Sequence, residues 1–481
     1  MSKIRVRVAP SPTGNLHLGV AHTALFNYLF ARQNKGTFVL RFEDTDRVRS
    51  TLESEKNILE GLKWLSLNWD EGPEVGGKYG PYKQMERLDL YKRYSDKLIQ
   101  EGKAYYCYCD EFELKEEREK QAKRGETPKY SGKCRELTEE QQKNLRAEGR
   151  KPSVRFNIEP QIVEFVDTIK GKLSFNTENF GDPIIVKSDG IPVYNLANVV
   201  DDKTMRITHV IRGEDLLPST PIQILLYKAL GMEDSIPQFA HIPLLLNPDH
   251  SKLSKRYGAV SINELKEMGY LPEALVNFLG LLGWHPKNEK ELFSEEELIK
   301  EFKLENVQKS PAIFNIEKLD SINGIYIREL ENKKVVQRLK DIIKLSKAGE
   351  EYLGKVINLV KERMKKLTDF QELSEYFFKE PKYDPKILIF KKSDKEKTKK
   401  GLEGVLAILE KQKDWPKTEK EFDKLLKKAM EENKLSFGDV FWPVRAALSG
   451  REASPGPTEL LWVFSKEESL KRLKKASELL K

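Results

Sequence analysis

His17 stands two residues before Gly19 in the segment VRVAPSPTGNLHLGVAHTALFNYLFAR, residues 6–32. An imidazole next to a glycine, where backbone can lie against a ligand, suits the binding of phosphate. A second concentration of positive charge, Lys252-Leu-Ser-Lys255-Arg256, lies on a stretch rich in polar residues. Taken alone, it reads equally well as a solvated basic loop. Carboxylates gather at Glu43-Asp44-Thr45-Asp46, and two arginines, Arg7 and Arg212, follow apolar strand-like positions. Cys107-Tyr-Cys109 and Cys134 bring three thiols into one region, one ligand short of the four that tetrahedral structural zinc takes.

These residues need elements to hold them. Ile4, Val6 and Val8 read as a buried strand, two prolines and Gly14 break the backbone, and apolar residues then recur at helical spacing (Ala21, Ala24, Leu25, Tyr28, Leu29). Strand, glycine turn and helix make the first half of a βαβ unit, and the helix N-terminus offers free N–H groups to an anion. Residues 38–42 alternate as a strand ending at Glu43, so its carboxylates reach the edge where open α/β sheets bind ligands. Helical spacing is predicted over 54–65, 86–100, 220–230 and 270–283, and strands over 154–158, 162–169, 184–187 and 207–212. Residues 189–202 are expected to return the chain to the sheet, and 238–246 to be its last segment. From Leu330 onward the pattern is almost entirely amphipathic helix, with the lysine-dense 391–400 reading as a solvated linker.

A chain of 481 residues is too long for one ordinary domain and suggests three to five units. Hydrophobic content of 39% and charged content of 33% describe a soluble protein with a heavily charged surface. No apolar run of about 20 residues could span a bilayer, and the N-terminal residues lack a secretory pattern. With only three cysteines and no disulfide framework, the expectation is cytoplasmic and non-membrane. The net charge of +8 is uneven: residues 331–481 carry 36 Lys and Arg against 26 Asp and Glu, a net +10, leaving −2 for the rest. A polyanion would be drawn to the C-terminal end; a lysine-rich surface of the high-temperature kind accounts for the excess equally well.

With these residues in place, the sequence resembles the class I aminoacyl-tRNA synthetases, closely the bacterial glutamyl-tRNA synthetases, over essentially the whole chain. PSPTGNLHLG matches the family's first nucleotide signature and KLSKR its second. Val20 stands where many class I members carry a second histidine, and Arg256 where many carry serine; both departures are common in the glutamyl group. The resemblance implies an α/β protein: a Rossmann-like catalytic domain (1–87 and 195–248) interrupted by an α+β acceptor-binding insertion (88–194). A stem-contact domain with the KLSKR loop (249–330) and two all-helical anticodon-binding subdomains (331–390 and 391–481) follow.

It further implies that the enzyme joins L-glutamate to the 3′ end of tRNA(Glu) through a glutamyl-adenylate, consuming ATP with Mg2+. His17, Gly19, Lys252 and Lys255 would be catalytic, and Thr13, His17, Gly19 and Lys255 would hold ATP. Arg7, Ser11, Glu43, Tyr194, Asn198 and Arg212 would bind glutamate. Arg212 is the better candidate for the side-chain carboxylate, since a guanidinium fork matches it bidentately, and Glu43 suits the α-ammonium. For tRNA, the expected contacts are Arg47, Arg363, Lys365, Arg445 and Arg451. In one family variant Tyr130 joins Cys107, Cys109 and Cys134 as the fourth ligand of a structural zinc. A monomer is the family's habit. An adenylyltransferase that ignores tRNA would not need the helical region, and a decayed scaffold would not keep His17, Gly19, Glu43 and Lys255. The close rival is a relaxed enzyme that charges tRNA(Gln) with glutamate, as well as or instead of tRNA(Glu).

Overall fold

The computed structural model describes residues 3–251, 253, 261–287, 289–342 and 349–480. They form two compact units, one of residues up to 266 with 272–316, the other of 267–271 with 317 onward.

In the first unit, β1 (Arg5–Val8) and β2 (Thr37–Leu40) pair in parallel, with Arg5 opposite Thr37 and Val8 opposite Leu40. The helix Leu18–Gln33 connects them, as a parallel pair requires. All four β2 side chains are buried, as are Val6 and Val8, which explains why these strands read as apolar runs rather than alternating ones. An antiparallel sheet follows, with β3 (Ala104–Cys107), β4 (Ser153–Phe156) and β7 (Ile184–Val186) in the order β3-β4-β7. The hairpin β5 (Ile162–Asp167) and β6 (Gly171–Asn176) extends a separate sheet. There β8 (His209–Gly213) pairs in parallel with β9 (Gln238–Ile242), and Asp167 of β5 bridges Phe239 of β9, giving the order β6-β5-β9-β8. Thr208 donates its backbone N–H to Arg5 (2.9 Å), which brings β1 alongside the start of β8. Two short strands, β10 (Leu245–Leu246) and β11 (Ala312–Ile313), pair further on.

Residues 189–202 return to the sheet through a helix, Tyr194–Thr204. Leu196, Ala197, Val199 and Val200 fill the core, while Asn198, Asp201 and Asp202 are buried on the same helix. Polar residues that would mark an exposed face are here turned inward, and that masks the helical period.

In the second unit the described residues contain no strand. Helices run over Asn332–Ile342, Glu350–Val360, Asp369–Phe378, Lys395–Glu410, Glu419–Asn433, Phe437–Ser449, Pro457–Val463 and Lys466–Leu479. The stretch expected as a linker, 391–400, instead begins the helix Lys395–Glu410, capped by the Asp394 side chain accepting from Lys397 N–H. Thr398, Leu402, Val405 and Leu409 give it a buried face, which the density of lysines obscured. Gly401 lets this helix approach the next but one: a Cβ there would meet the Asp439 carbonyl at 2.1 Å.

Two stability effects follow from this packing. Gly401→Ala should cost about 2–3 kcal/mol, read as a lowered urea midpoint of the C-terminal unit. In the first helix, His22 is buried and its Nε2 donates to the Leu282 carbonyl (2.8 Å); burial lowers its pKa to about 4. Because the folded value lies below the unfolded 6.5, its stabilising effect is complete above that pH and is lost as the pH falls towards 4. The N-terminal unit should lose up to about 3 kcal/mol across this window, and His22→Gln, which keeps the donor, should flatten the slope of stability against pH.

Candidate active site

The carboxyl ends of β1 and β8, the start of the first helix and the segment 242–246 enclose a cavity of about 490 Å³. Arg7, His17, Gly19, Glu43, Tyr194, Asn198 and Arg212 all line it. Ser11 and Thr13 are exposed in the turn and lie outside this lining: two prolines and a glycine carry the loop away from the strand end before it returns at His17. Lys252 and Lys255 fall outside the described residues; Leu253, between them, reaches the cavity.

His17 is the N-cap of the helix, and its Nδ1 accepts the Gly19 N–H at 3.1 Å. A nitrogen that accepts cannot carry a proton, so the remaining ring proton sits on Nε2, available as a donor. Although the ring reaches solvent, partial enclosure holds its pKa below the ordinary value, and Glu264 offsets this only in part. The imidazole is therefore neutral at pH 7.

Two buried arginines reach the same cavity in different electrostatic states. Arg7 is ion-paired with Asp202 (3.1 Å), and its Nη2 lies 3.4 Å from the Asn198 side-chain oxygen. Asp202 also pairs with Arg41 (2.8 Å), which is fully buried and reaches Glu43 (3.3 Å). Burial pushes the Asp202 carboxyl up, but Arg7 and Arg41 outweigh it and hold it below the ordinary carboxylate range. Glu43, accepting from Asn198 Nδ2 at 2.9 Å, moves the other way: burial raises it in spite of Arg41 and Arg7. Behind them Asp201 accepts from Arg87 (2.6 Å), Gln84 (2.9 Å) and Tyr91 (2.9 Å).

Arg212 is different. It is 3% exposed, and among the described residues no carboxylate pairs with it. Its Nε donates to His241 Nε2 (3.0 Å), Nη1 to the Tyr194 hydroxyl (2.9 Å) and to Gln223 Oε1 (2.9 Å), and Nη2 to Thr220 Oγ1 (2.8 Å). Every partner is neutral or accepts as a neutral group. Four of its five N–H groups are used, and Tyr194, whose oxygen accepts, keeps its own O–H to donate. A buried cation with one free donor beside a free hydroxyl is a receptor for an anion.

Sequence reasoning missed the residues that set these states. Asp201, Asp202 and Arg41 read as parts of apolar runs, and Thr220, Gln223 and His241 as single polar residues in a helix and a strand. The acidic pair ending the apolar run VVDD was the one available signal.

In the inserted sheet, the sulfurs of Cys107, Cys109 and Cys134 lie within 4.8 Å of one another, with 3.5 Å between Cys109 and Cys134. The Tyr130 hydroxyl lies 3.4 Å from Cys107 Sγ and 3.6 Å from Cys109 Sγ. Tetrahedral zinc with bonds of about 2.3 Å to sulfur spaces its ligands at about 3.7 Å, so this donor set fits the ion. The Arg155 guanidinium lies 3.7 Å from the Tyr130 ring centroid, a cation–π contact that holds the ring beside the sulfurs.

In the helical unit, Arg363, Arg445 and Arg451 gather around one loop. Arg363 donates to the backbone carbonyl of Ser454 (3.0 Å), Arg445 to that of Glu452 (2.5 Å) and Arg451 to that of Glu372 (2.7 Å). The Arg445 Nε is buried with no partner among the described residues; burial, and then Arg363, lower its pKa. Arg47 and Lys365 are exposed.

The family description "tRNA synthetases class I (E and Q), catalytic domain" matches residues 3–321, and "Anticodon binding domain" matches 334–477. The glutamate–tRNA ligase of Carboxydothermus hydrogenoformans is 48% identical, covering 98% of this chain and 99% of its own. That of Sulfurihydrogenibium sp. is 46% identical over 98% and 99%. The crystal structure of a glutamate tRNA ligase from Elizabethkingia meningosepticum, in complex with its amino acid, superposes with a TM-score of 0.88 at 35% identity over the whole of both chains. With a parallel nucleotide-type sheet, an all-helical C-terminal unit and full-length relatives of one kind, the chain belongs to the glutamyl-tRNA synthetase family of class I tRNA synthetases.

Proposed function

We infer that this chain ligates L-glutamate to tRNA(Glu) in two steps within the cavity. The observation that carries the choice of amino acid is Arg212, a buried guanidinium with only neutral partners. A side-chain carboxylate accepts from its free Nη2 hydrogen and from the Tyr194 hydroxyl. Glutamine would put an amide there, with an N–H group facing donors, which buried sites reject strongly. Glu43 receives the α-ammonium, and Arg7 steadies Asn198 and Asp202 beside it. Ser11 and Thr13, outside the cavity lining, are proposed as contacts only with a substrate in place.

In the first step the α-carboxylate oxygen attacks the α-phosphorus of ATP, and diphosphate leaves as the bond to the β-phosphate oxygen breaks. The helix N-terminus and Gly19 accommodate the phosphates, and His17 donates from Nε2. Lys252 and Lys255 are proposed to follow the charge onto the leaving group, and Mg2+ arrives with ATP. In the second step the ribose hydroxyl of the 3′-terminal adenosine attacks the activated carbonyl and AMP leaves, with positioning as the main demand.

We assign the insertion (88–194) to the acceptor end, 249–330 to the stem, and the two helical subdomains (331–390 and 391–481) to the anticodon. Arg47 is proposed near the acceptor end, and Arg363, Lys365, Arg445 and Arg451 as anticodon-side contacts. The gathering of three guanidinium groups at one loop supports that assignment, since clustered basic residues attract an RNA backbone. Zinc held by Cys107, Cys109, Tyr130 and Cys134 would brace the insertion and take no part in the reaction. The same reading has the protein act as a cytoplasmic monomer.

The test is charging of purified tRNA(Glu) and tRNA(Gln) with labelled glutamate and ATP. Charging of tRNA(Glu) is expected, and its loss in Lys255→Ala; charging of tRNA(Gln) as well would identify the relaxed enzyme, and charging of neither would overturn the reading. Arg212→Ala should lower kcat/KM for glutamate by about 100-fold or more. About one zinc per chain is expected by elemental analysis, and none in Cys109→Ser.

A further inference from the structure

Behind Arg212 lies a line of hydrogen bonds that begins outside the nucleotide-type fold. Asp167 is the last residue of β5, in the inserted hairpin, and is 1% exposed. Its Oδ1 accepts from the backbone N–H of Ile169 (3.0 Å) and Lys170 (2.8 Å) in the hairpin turn. Its Oδ2 accepts from the backbone N–H of His241 (3.1 Å) and faces His241 Nδ1 at 2.7 Å. The ring, fully buried, turns its other nitrogen to Arg212 Nε. Arginine can only donate, so Nε2 must accept and the proton must sit on Nδ1, where the carboxylate takes it. Phe239 stacks on the ring (centroids 6.2 Å apart) and Thr220 Oγ1 lies 3.2 Å from Nε2, closing the remaining directions.

We propose that Asp167 and His241 are positioning residues for amino-acid selection: the carboxylate fixes the histidine tautomer whose lone pair holds the Arg212 guanidinium in the plane that receives a side-chain carboxylate. This rests on the reading of Arg212 given above. It makes the amino-acid pocket depend on a residue that the inserted hairpin contributes at its single bridge to β9. Two chemical facts follow. A protonated or inverted imidazole would point an N–H at the Arg212 N–H, expelling the guanidinium. And no group other than Asp167, among the described residues, accepts from Nδ1.

Asp167→Asn is the discriminating change. The Asn oxygen keeps the two turn bonds only by placing its NH2 against His241 Nδ1, which then has to accept; the proton moves to Nε2 and opposes Arg212. His241→Gln, by contrast, offers an amide oxygen near the position of Nε2 and has no tautomer to invert. Steady-state charging is measured for wild type, Asp167→Asn, His241→Gln, the double variant and Arg212→Ala, with KM for glutamate and for ATP, and with thermal midpoints. The expected result is a rise of about tenfold or more in KM for glutamate in Asp167→Asn, with KM for ATP within about twofold. In the double variant KM for glutamate should fall back to that of His241→Gln. An unchanged KM in Asp167→Asn, or a double variant no better than Asp167→Asn, overturns the proposal. If Asp167→Asn does not fold, His241→Leu against His241→Gln decides: a higher KM for Leu alone supports it, equal values overturn it. If Arg212→Ala leaves KM for glutamate unchanged, the reading of Arg212 itself fails, which is a separate outcome.

Discussion

Burying an arginine is costly unless its charge is answered, and the first unit is built around three whose charges are. Arg7, Arg41 and Arg87 leave β1, β2 and the segment before residue 88, and all converge on Asp201 and Asp202 of the helix Tyr194–Thr204. The attraction inside a low-dielectric core offsets desolvation only when geometry is good on both sides. The helix therefore has to sit where both carboxylates meet the guanidinium groups. The pairing of β1 with β2 sets the distance between their ends; the requirement on the helix fixes where it lies against them, and with it one wall of the cavity. Asn198 and Tyr194, one and two turns before the acidic pair, are carried into the cavity by the same helix.

Against that background Arg212 gains its meaning. Its neighbours satisfy four of the five N–H groups of the guanidinium without cancelling its charge, which leaves an unanswered positive charge at the cavity. Arg7, by contrast, is neutralised before any ligand arrives. Equivalent residues at equivalent strand ends thus stand in unequal electrostatic states: one is paired within the frame and the other is not. Glu43 lies between these regimes, raised by burial and held by Asn198 and Arg41.

The second unit solves a different problem. Its helices bury apolar faces against one another, and close approaches such as that at Gly401 set their spacing. Its excess positive charge remains largely outside; Arg472, 3% exposed, is the buried exception among the described residues and donates to the Tyr376 and Leu448 carbonyls. In the cluster of Arg363, Arg445 and Arg451, Arg445 Nε is the buried nitrogen without a hydrogen-bond partner among the described residues.

Local chemistry was legible in the residues alone. The strand, turn and helix around His17 and Gly19 lie within about 30 residues, and both the breaking of the backbone by proline and glycine and the helical period act over that range. The helical character of the C-terminal region and the gathering of three cysteines near Tyr130 could be read in the same way. Even Arg7 and Arg212 stood out, because charged residues at the ends of apolar strands are unusual. What the amino-acid order could not disclose was which of them is neutralised. Asp202 lies 195 residues from Arg7, and Asp167 lies 74 from His241. Coulomb energy and desolvation depend on distance in space and on exclusion of water, and only the folded chain brings these groups together or keeps them apart.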